Sequence, residues 1–178
     1  MAALKELIDV YLQPGELYVA DAAFRLRTVL GSCVSITLWH PGARVGGMSH
    51  FLLPSRSRSE PLGHLDGRYG DEALQLMMTQ LRGMGVRPTE CQAKVFGGGD
   101  MFPHKPKPHS AIHVGQRNGH AAQELLQSHG IQVFASSLFG HGHRQIVFNL
   151  STGDVWARQV RPSHLEAQTE KMARHSLI

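Results

Sequence analysis

The sequence predicts a single-domain α/β sandwich of mixed or antiparallel β-sheet with two long helices. Its 178 residues match the size of one domain that can bury a core without disulfides or metals. Segments with strand-like alternation follow one another in hairpin-like succession, and two longer segments have helical periodicity. We assign residues 1–161 to this domain and residues 162–178, which are mostly polar, to a frayed C-terminal tail.

The composition excludes several classes of protein. No apolar run approaches the roughly 18 residues that a membrane span needs, and the N-terminus lacks the layout of a signal peptide. The two cysteines, Cys33 and Cys91, are far apart and are expected to stay reduced in a cytoplasm. The net charge of +4 suits acidic partners, but the 7 % of aromatic residues gives no RNA-recognition pattern, so nucleic acid is not the expected partner.

Strands are predicted where apolar and polar residues alternate, or where apolar residues run together between turn residues. The predicted strands are residues 16–20, 24–30, 34–39, 44–53, 92–96, 131–138, 144–150 and 155–160. Residues 1–12 instead have apolar side chains at helical spacing, and Gln13-Pro14-Gly15 would end such a short helix.

Two longer segments have the apolar stripe of an amphipathic helix. The first is residues 71–81, and the second is residues 118–129, with Asn118 as the N-cap and Gly130 as the stop. The stripe of the first helix is expected to consist of Ala73, Leu74, Met77, Met78 and Leu81. Residues 54–70 are rich in Ser, Arg, Gly and Pro, which predicts a surface loop with solvated arginines.

The segment from residue 28 to residue 54 carries the strongest hairpin signal, with the turn-forming sequence HPGA between two strand-like runs. A turn centred on its Pro-Gly pair would place Cys33 directly opposite His50, with their Cβ atoms about 4.5–5.5 Å apart. Pro-Gly favours a type II turn, whereas tight hairpins prefer the mirror-image turns, and Gly46-Gly47 could host a bulge. A register shifted by one residue therefore stays open.

The sequence allows two interpretations of the role of Cys33. A free cysteine is most often a small buried hydrophobe. Three features favour a nucleophile instead: Gly31 permits close approach of a substrate, the amides around Ser32 could bind an oxyanion, and His50 could activate the thiol. A hydroxyl from Thr28 or from Ser32 could orient the histidine ring, as the third member of a catalytic triad does.

Other motifs have simpler explanations. The Gly97–Gly99 run lacks the Lys-Ser/Thr of a phosphate-binding loop, so we expect it to serve close backbone packing beside the site. No carboxylate or cysteine cluster accompanies the histidines, so we predict neither a metal nor a cofactor. The histidines considered were His104, His109, His113, His141 and His143. Cys91 is expected to be structural.

Six stretches of this sequence resemble the chemoreceptor glutamine deamidases of bacterial chemotaxis, the CheD family. They are LGSCVSITLWHP, VGGMSHFLLP, RYGDEALQLMM, AKVFGGGDMF, IHVGQRN and GHGHRQIVFNLSTGDVW, and they lie between about Tyr11 and Arg158. The resemblance implies an α/β sandwich that converts receptor glutamines to glutamates with release of ammonia. It also implies a Cys–His–Thr triad, which maps onto Cys33, His50 and Thr28, the one threonine upstream of the cysteine.

The resemblance further implies methyl-accepting chemoreceptors as partners, with a CheC-type phosphatase as an additional one. A basic surface that includes Arg56, Arg58, Lys105 and Lys107 would suit the acidic helical bundle of a receptor. Residues 137–144 depart from the family's commoner Gly-Gly…Gly-Arg form, which affects partner contacts in this loop. Two alternatives remain: a non-catalytic adaptor for receptors or for the phosphatase, and a different thiol-dependent hydrolase.

Overall fold

Two stacked β-sheets, with two α-helices against the outer face of one of them, make up the computed structural model. It describes residues 6–57, 59, 63–102 and 113–160. The strands are β1 (Ile8–Tyr11), β2 (Leu17–Ala20), β3 (Phe24–Leu30), β4 (Val34–His40), β5 (Val45–Ser49), β6 (Gln92–Gly97), β7 (Val133–Leu138), β8 (His143–Asn149) and β9 (Val155–Val160). The helices are α1 (Gly70–Gly83) and α2 (Val114–Ser128), with a short 3-10 turn at Pro88–Glu90.

One sheet has four strands in the order β1-β3-β8-β9, and the other has five in the order β2-β5-β4-β6-β7. β1 runs parallel to β3 and β6 runs parallel to β7, while the remaining neighbours are antiparallel. The predicted α/β sandwich with mixed sheets and two helices is therefore confirmed. The predicted tail, residues 162–178, lies outside the described residues.

Alternation along β4 divides its side chains between two core layers. Val34, Ile36 and Leu38 are fully buried in a cluster with the helices. Trp39 points the other way and packs in the cluster between the two sheets, which Cys33 also borders. The candidate nucleophile thus faces the layer between the sheets.

The hairpin of β4 and β5 has a different register from the predicted one. Leu38 pairs with Gly47, two residues beyond its predicted partner. The connecting loop has four residues, and it closes with a 2.8 Å hydrogen bond from the Arg44 N–H to the His40 carbonyl, with Arg44 at a φ of 50°. A shift by an even number of residues leaves every side chain on its predicted face. No bulge occurs at the two adjacent glycines.

The predicted N-terminal helix is wrong, because the described part of that segment is the strand β1. Ile8 pairs with Phe24, and the register continues along β3. Asp9 strengthens the pairing through a two-pronged ion pair with Arg25, with both N···O distances at 2.6 Å. Pairing with a neighbouring strand stabilises this short edge segment, whereas so short a helix would be marginal in water.

The helix α1 confirms its prediction, and its predicted stripe is buried. The helix α2 begins at Val114, four residues earlier than predicted, so Asn118 is a buried residue inside the helix instead of its N-cap. Gly115 weakens the helical signal in the sequence, yet a Cβ there would lie 2.5 Å from the Gly98 carbonyl oxygen. Tight packing on the glycine run therefore explains the glycine. Neither of the two described helices is long and apolar enough to cross a membrane.

Arg56 is engaged within the protein and is not solvated as predicted. It makes two hydrogen bonds of 2.9 Å to the Glu72 carboxylate, and its side chain is only 18 % exposed. The proposed basic surface therefore loses the positive charge of Arg56. Its other members, Arg58, Lys105 and Lys107, lie outside the described residues.

Candidate active site

Cys33 lies just before β4, and His50 lies just after β5, on the same face of this strand pair. Val34 and Phe51, the residues that follow them, exchange two hydrogen bonds of 3.1 and 3.0 Å. This register sets Leu52 opposite Cys33, so His50 is its diagonal neighbour and not its direct partner as predicted. Diagonal Cβ atoms lie about 7–8 Å apart or somewhat less, within reach of a long side chain. The described contacts include no hydrogen bond between Cys33 and His50.

Thr28 orients the His50 ring from the other sheet. It lies in β3, fully buried, and its hydroxyl is 2.7 Å from His50 Nδ1 and 2.9 Å from the Leu12 carbonyl oxygen. A carbonyl only accepts, so the single hydroxyl proton goes to Leu12 and the hydroxyl oxygen accepts from Nδ1–H. His50 is thereby held as the Nδ1–H tautomer, and its Nε2 lone pair is left to act as a base.

Burial keeps both groups of the pair neutral near pH 7. Burial lowers the pKa of His50 to about 4, although the Leu12 carbonyl partly offsets this by favouring the charged ring. Burial also raises the pKa of the Cys33 thiol, with a smaller opposing contribution from its own N–H. The resting state is therefore a thiol beside an imidazole, and activation requires proton transfer during the attack.

Three consecutive carbonyls around the cysteine are anchored by the protein. The Gly31 carbonyl accepts from Gly99 N–H at 2.8 Å, and the Cys33 carbonyl accepts from Gly98 N–H at 2.9 Å. Between them, the Ser32 carbonyl accepts from Asn118 Nδ2 at 3.0 Å. The predicted packing role of the glycine run is confirmed, because a Cβ at Gly97 would lie 2.2 Å from the Cys33 carbonyl oxygen.

The anchored carbonyls fix the direction of the neighbouring amides. A peptide group is planar and trans, so its N–H points away from its carbonyl, and none of the described peptide bonds is cis. Within the described part of the chain, the N–H groups of Ser32 and Cys33 donate to no carbonyl. The two amides therefore have the free donor capacity that an oxyanion needs.

A cavity of about 180 Å³ lies beside Ser32. Its lining consists of Ser32, Gly99, Asp100, Met101, Phe102, His113, Val114 and Gly115. A pocket of this size next to the cysteine turn is large enough for one extended side chain.

All five residues predicted for the site are described. Cys33 and His50 share a face, Thr28 contacts His50, and Gly31 and Ser32 form the turn before the cysteine; of the two candidate hydroxyls, only that of Thr28 contacts His50. No three His, Cys, Asp or Glu side chains gather as metal ligands anywhere in the described ranges. His104 and His109 lie outside those ranges.

Asn118 is the residue that the sequence interpretation missed. It is fully buried, and its Nδ2 donates to both the Ser32 and the Leu52 carbonyls. It lies in the IHVGQRN stretch, but its position suggested only a helix cap.

Comparison with known proteins gives concordant matches. A family described as CheD chemotactic sensory transduction matches residues 52–159. A relative from Albidiferax ferrireducens, named probable chemoreceptor glutamine deamidase CheD 2, is 59 % identical over 162 residues, which cover 91 % of this chain and 93 % of the relative. Relatives from Pseudomonas savastanoi and Pseudomonas syringae, each named probable chemoreceptor glutamine deamidase CheD, are 47 % and 46 % identical over 152 residues, covering 84 % of both chains in each case.

Proposed function

Because the chain belongs to the CheD family, we propose that it is a cytoplasmic chemoreceptor glutamine deamidase. It hydrolyses the side-chain amide of selected receptor glutamines, giving glutamate and ammonia. The names of its relatives support this substrate and this reaction. The observation that carries the mechanism is the Thr28–His50 hydrogen bond, which leaves Nε2 of a neutral imidazole available on the face that Cys33 shares.

In the first half of the reaction, the Cys33 thiol attacks the amide carbon. His50 Nε2 takes the thiol proton as the S–C bond forms, and the amide oxygen becomes an oxyanion. The N–H groups of Ser32 and Cys33 stabilise that oxyanion, because they already point away from their anchored carbonyls. An amide is a poor electrophile, so both forms of assistance are needed.

In the second half, the imidazolium returns its proton to the leaving nitrogen and ammonia departs, which leaves a γ-glutamyl thioester on Cys33. His50 then takes a proton from water as the water oxygen attacks the thioester carbon. The S–C bond breaks, the thiolate recovers that proton, and the product is a glutamate side chain. No oxidant, reductant or cofactor enters this balance.

The test compares three proteins on purified cytoplasmic fragments of a chemoreceptor. Wild type, Cys33→Ala and Cys91→Ala are incubated with the fragments, and glutamine-to-glutamate conversion is mapped by mass spectrometry. Loss of a nucleophile lowers kcat by at least about a thousandfold, so Cys33→Ala is expected to be inactive while Cys91→Ala converts like wild type. Conversion by Cys33→Ala at the wild-type rate would overturn the thiol mechanism. Receptor binding without conversion by any of the three would support an adaptor.

A further inference from the structure

We propose that Asn118 is a positioning residue that fixes the Cys33 N–H as an oxyanion donor. This inference rests on the proposed function, because it concerns the same site. Asn118 lies in α2, behind the cysteine turn, and touches none of the reacting atoms. It acts through the backbone of the turn.

The carboxamide of Asn118 joins the two chain segments that carry the candidate pair. Its Nδ2 donates to the Ser32 carbonyl at 3.0 Å and to the Leu52 carbonyl at 2.7 Å. Ser32 immediately precedes Cys33, and Leu52 follows His50 by two residues. One amino group therefore uses both of its protons to hold the cysteine turn against the chain beyond β5.

The bond to Ser32 determines where the Cys33 N–H points. The Ser32 carbonyl and the Cys33 N–H belong to the same planar, trans peptide group, so fixing one fixes the other. With the carbonyl drawn toward α2, the N–H faces away from the helix. The neighbouring carbonyls of Gly31 and Cys33 are held by backbone amides, which substitution cannot remove. Among the three groups that anchor these carbonyls, Asn118 is the one that acts through a side chain.

Two hydrogen bonds to backbone carbonyls explain why a carboxamide occupies this buried position. The side chain is fully buried, and its Oδ1 has no hydrogen-bond partner among the residues that the structure describes. An unpaired buried acceptor opposes folding, and an apolar side chain of similar volume would avoid that penalty. The amino group explains why a carboxamide stands here, because its two protons hold two carbonyls that an apolar residue would leave unpaired.

Two small probes separate donor orientation from cysteine reactivity. Iodoacetamide alkylates Cys33 by displacement of iodide, so no oxyanion develops. A peptide whose glutamine side-chain amide is replaced by an aldehyde forms a hemithioacetal anion: the S–C bond forms, His50 keeps the thiol proton, and the former carbonyl oxygen takes the electron pair of the C=O bond as an alkoxide. That oxygen develops negative charge where the Cys33 N–H is placed, so its binding reports on the donor.

The experiment uses full-length wild type, Asn118→Leu and Asn118→Ala, with Leu126→Ala as the matched control. Leu126 is also fully buried in α2, so its truncation weakens the same helix without removing either anchor. We expect both Asn118 variants to bind the aldehyde at least tenfold more weakly, while iodoacetamide alkylation of Cys33 stays within about twofold of wild type. Leu126→Ala is expected to change neither measurement at temperatures where it remains folded.

Parallel losses with both probes, unchanged aldehyde binding, or failure of both Asn118 variants to fold would overturn the proposal in favour of a purely structural role. Receptor deamidation is measured on the same proteins, and kcat is expected to fall at least tenfold with little change in KM. The probes need no receptor turnover. If the wild-type protein binds the aldehyde but converts no glutamine, that result would count against the proposed function. The effect of the Asn118 variants on aldehyde binding could still be interpreted.

Discussion

The two cysteines of this protein share a side chain but differ in what surrounds it. Both are free, and burial raises the pKa of each thiol. Cys91 is 3 % exposed in the helix-side core, its thiol faces the Arg87 carbonyl at 3.9 Å, and the Glu90 charge helps raise its pKa to about 11. Cys33 instead borders the layer between the sheets, where His50 shares its face.

The comparison shows that a low thiol pKa is not what distinguishes the candidate nucleophile. Burial disfavours the thiolate at both positions, so Cys33 must differ through its neighbours. Those neighbours are a base with a free Nε2 and two amides with free donor capacity. Each of these differences can be removed or measured separately.

The largest expected effect is the pH dependence of stability that comes from His50. Its folded pKa of about 4 lies below the ordinary value of 6.5, so the unfolded chain binds more protons between these two pH values. Stability is therefore present above pH 6.5 and is lost as the pH falls toward 4, by roughly 3 kcal/mol over the full window. Urea unfolding of wild type and His50→Gln at pH 7, 6, 5 and 4.5 measures this loss, and the variant is expected to show a clearly flatter dependence.

His143→Gln is the control for that measurement. Burial also lowers the pKa of His143, so a histidine outside the candidate pair contributes in the same direction. The carboxyl pKa values of Asp9, Asp66 and Glu72 are lowered by their arginine partners, so protonation of these groups in the unfolded chain also costs stability as the pH approaches 4.5, to the same extent in wild type and in both variants. Equal slopes for wild type and His50→Gln would show that the ring is not held neutral by burial.

Sequence patterns predicted the elements whose signals are local. Alternation at Val34, Ile36 and Leu38 predicted both the strand and its buried face, and the apolar stripe predicted α1. The register of the hairpin was not predictable in this way, because Arg44 closes a longer loop in a left-handed conformation that its residue type does not favour. The strand β1 was missed because its pairing partner, β3, determines its conformation.

The residues of the candidate site likewise differ in whether local sequence patterns predict their positions. Cys33 and His50 are close in sequence, and the predicted hairpin placed them on one face. The choice between Thr28 and Ser32 needed the packing of two sheets, since Thr28 reaches His50 from β3 across the layer between them. Asn118 could not be predicted as a site residue, because only the tertiary fold brings α2 to the cysteine turn and no local sequence pattern indicates that contact.

The second prediction compares the two thiols directly by iodoacetamide alkylation. With a pKa of about 11, Cys91 is expected to react about a hundredfold more slowly near pH 8 than an ordinary exposed thiol. Cys33 is expected to react faster than Cys91, with a rate that rises continuously with pH, because its resting state is a thiol. Mass spectrometry of the two labelled peptides at pH 6 to 10 gives both profiles. A flat, pH-independent rate at Cys33 below pH 7 would instead indicate a preformed thiolate–imidazolium pair.

The smallest effect is expected from Thr28, which acts on Cys33 only through His50. Thr28→Val keeps the shape of the side chain but removes the acceptor of Nδ1–H and the donor to Leu12. Loss of one net hydrogen bond of about 1.4 kcal/mol from the correctly oriented ring corresponds to about tenfold in kcat. KM is expected to change little, because Thr28 is fully buried and cannot contact substrate.

Thr28→Ser separates this role from simple packing. It retains the hydroxyl and loses only a methyl group, so its kcat is expected to stay within about threefold of wild type even though the smaller side chain leaves a small cavity in the core. Thr28→Val fills that space but lets the imidazole adopt the Nε2–H tautomer, which has no lone pair on Nε2 to accept the thiol proton. If Thr28→Val were as active as Thr28→Ser when both are folded, the tautomer of His50 would not depend on Thr28.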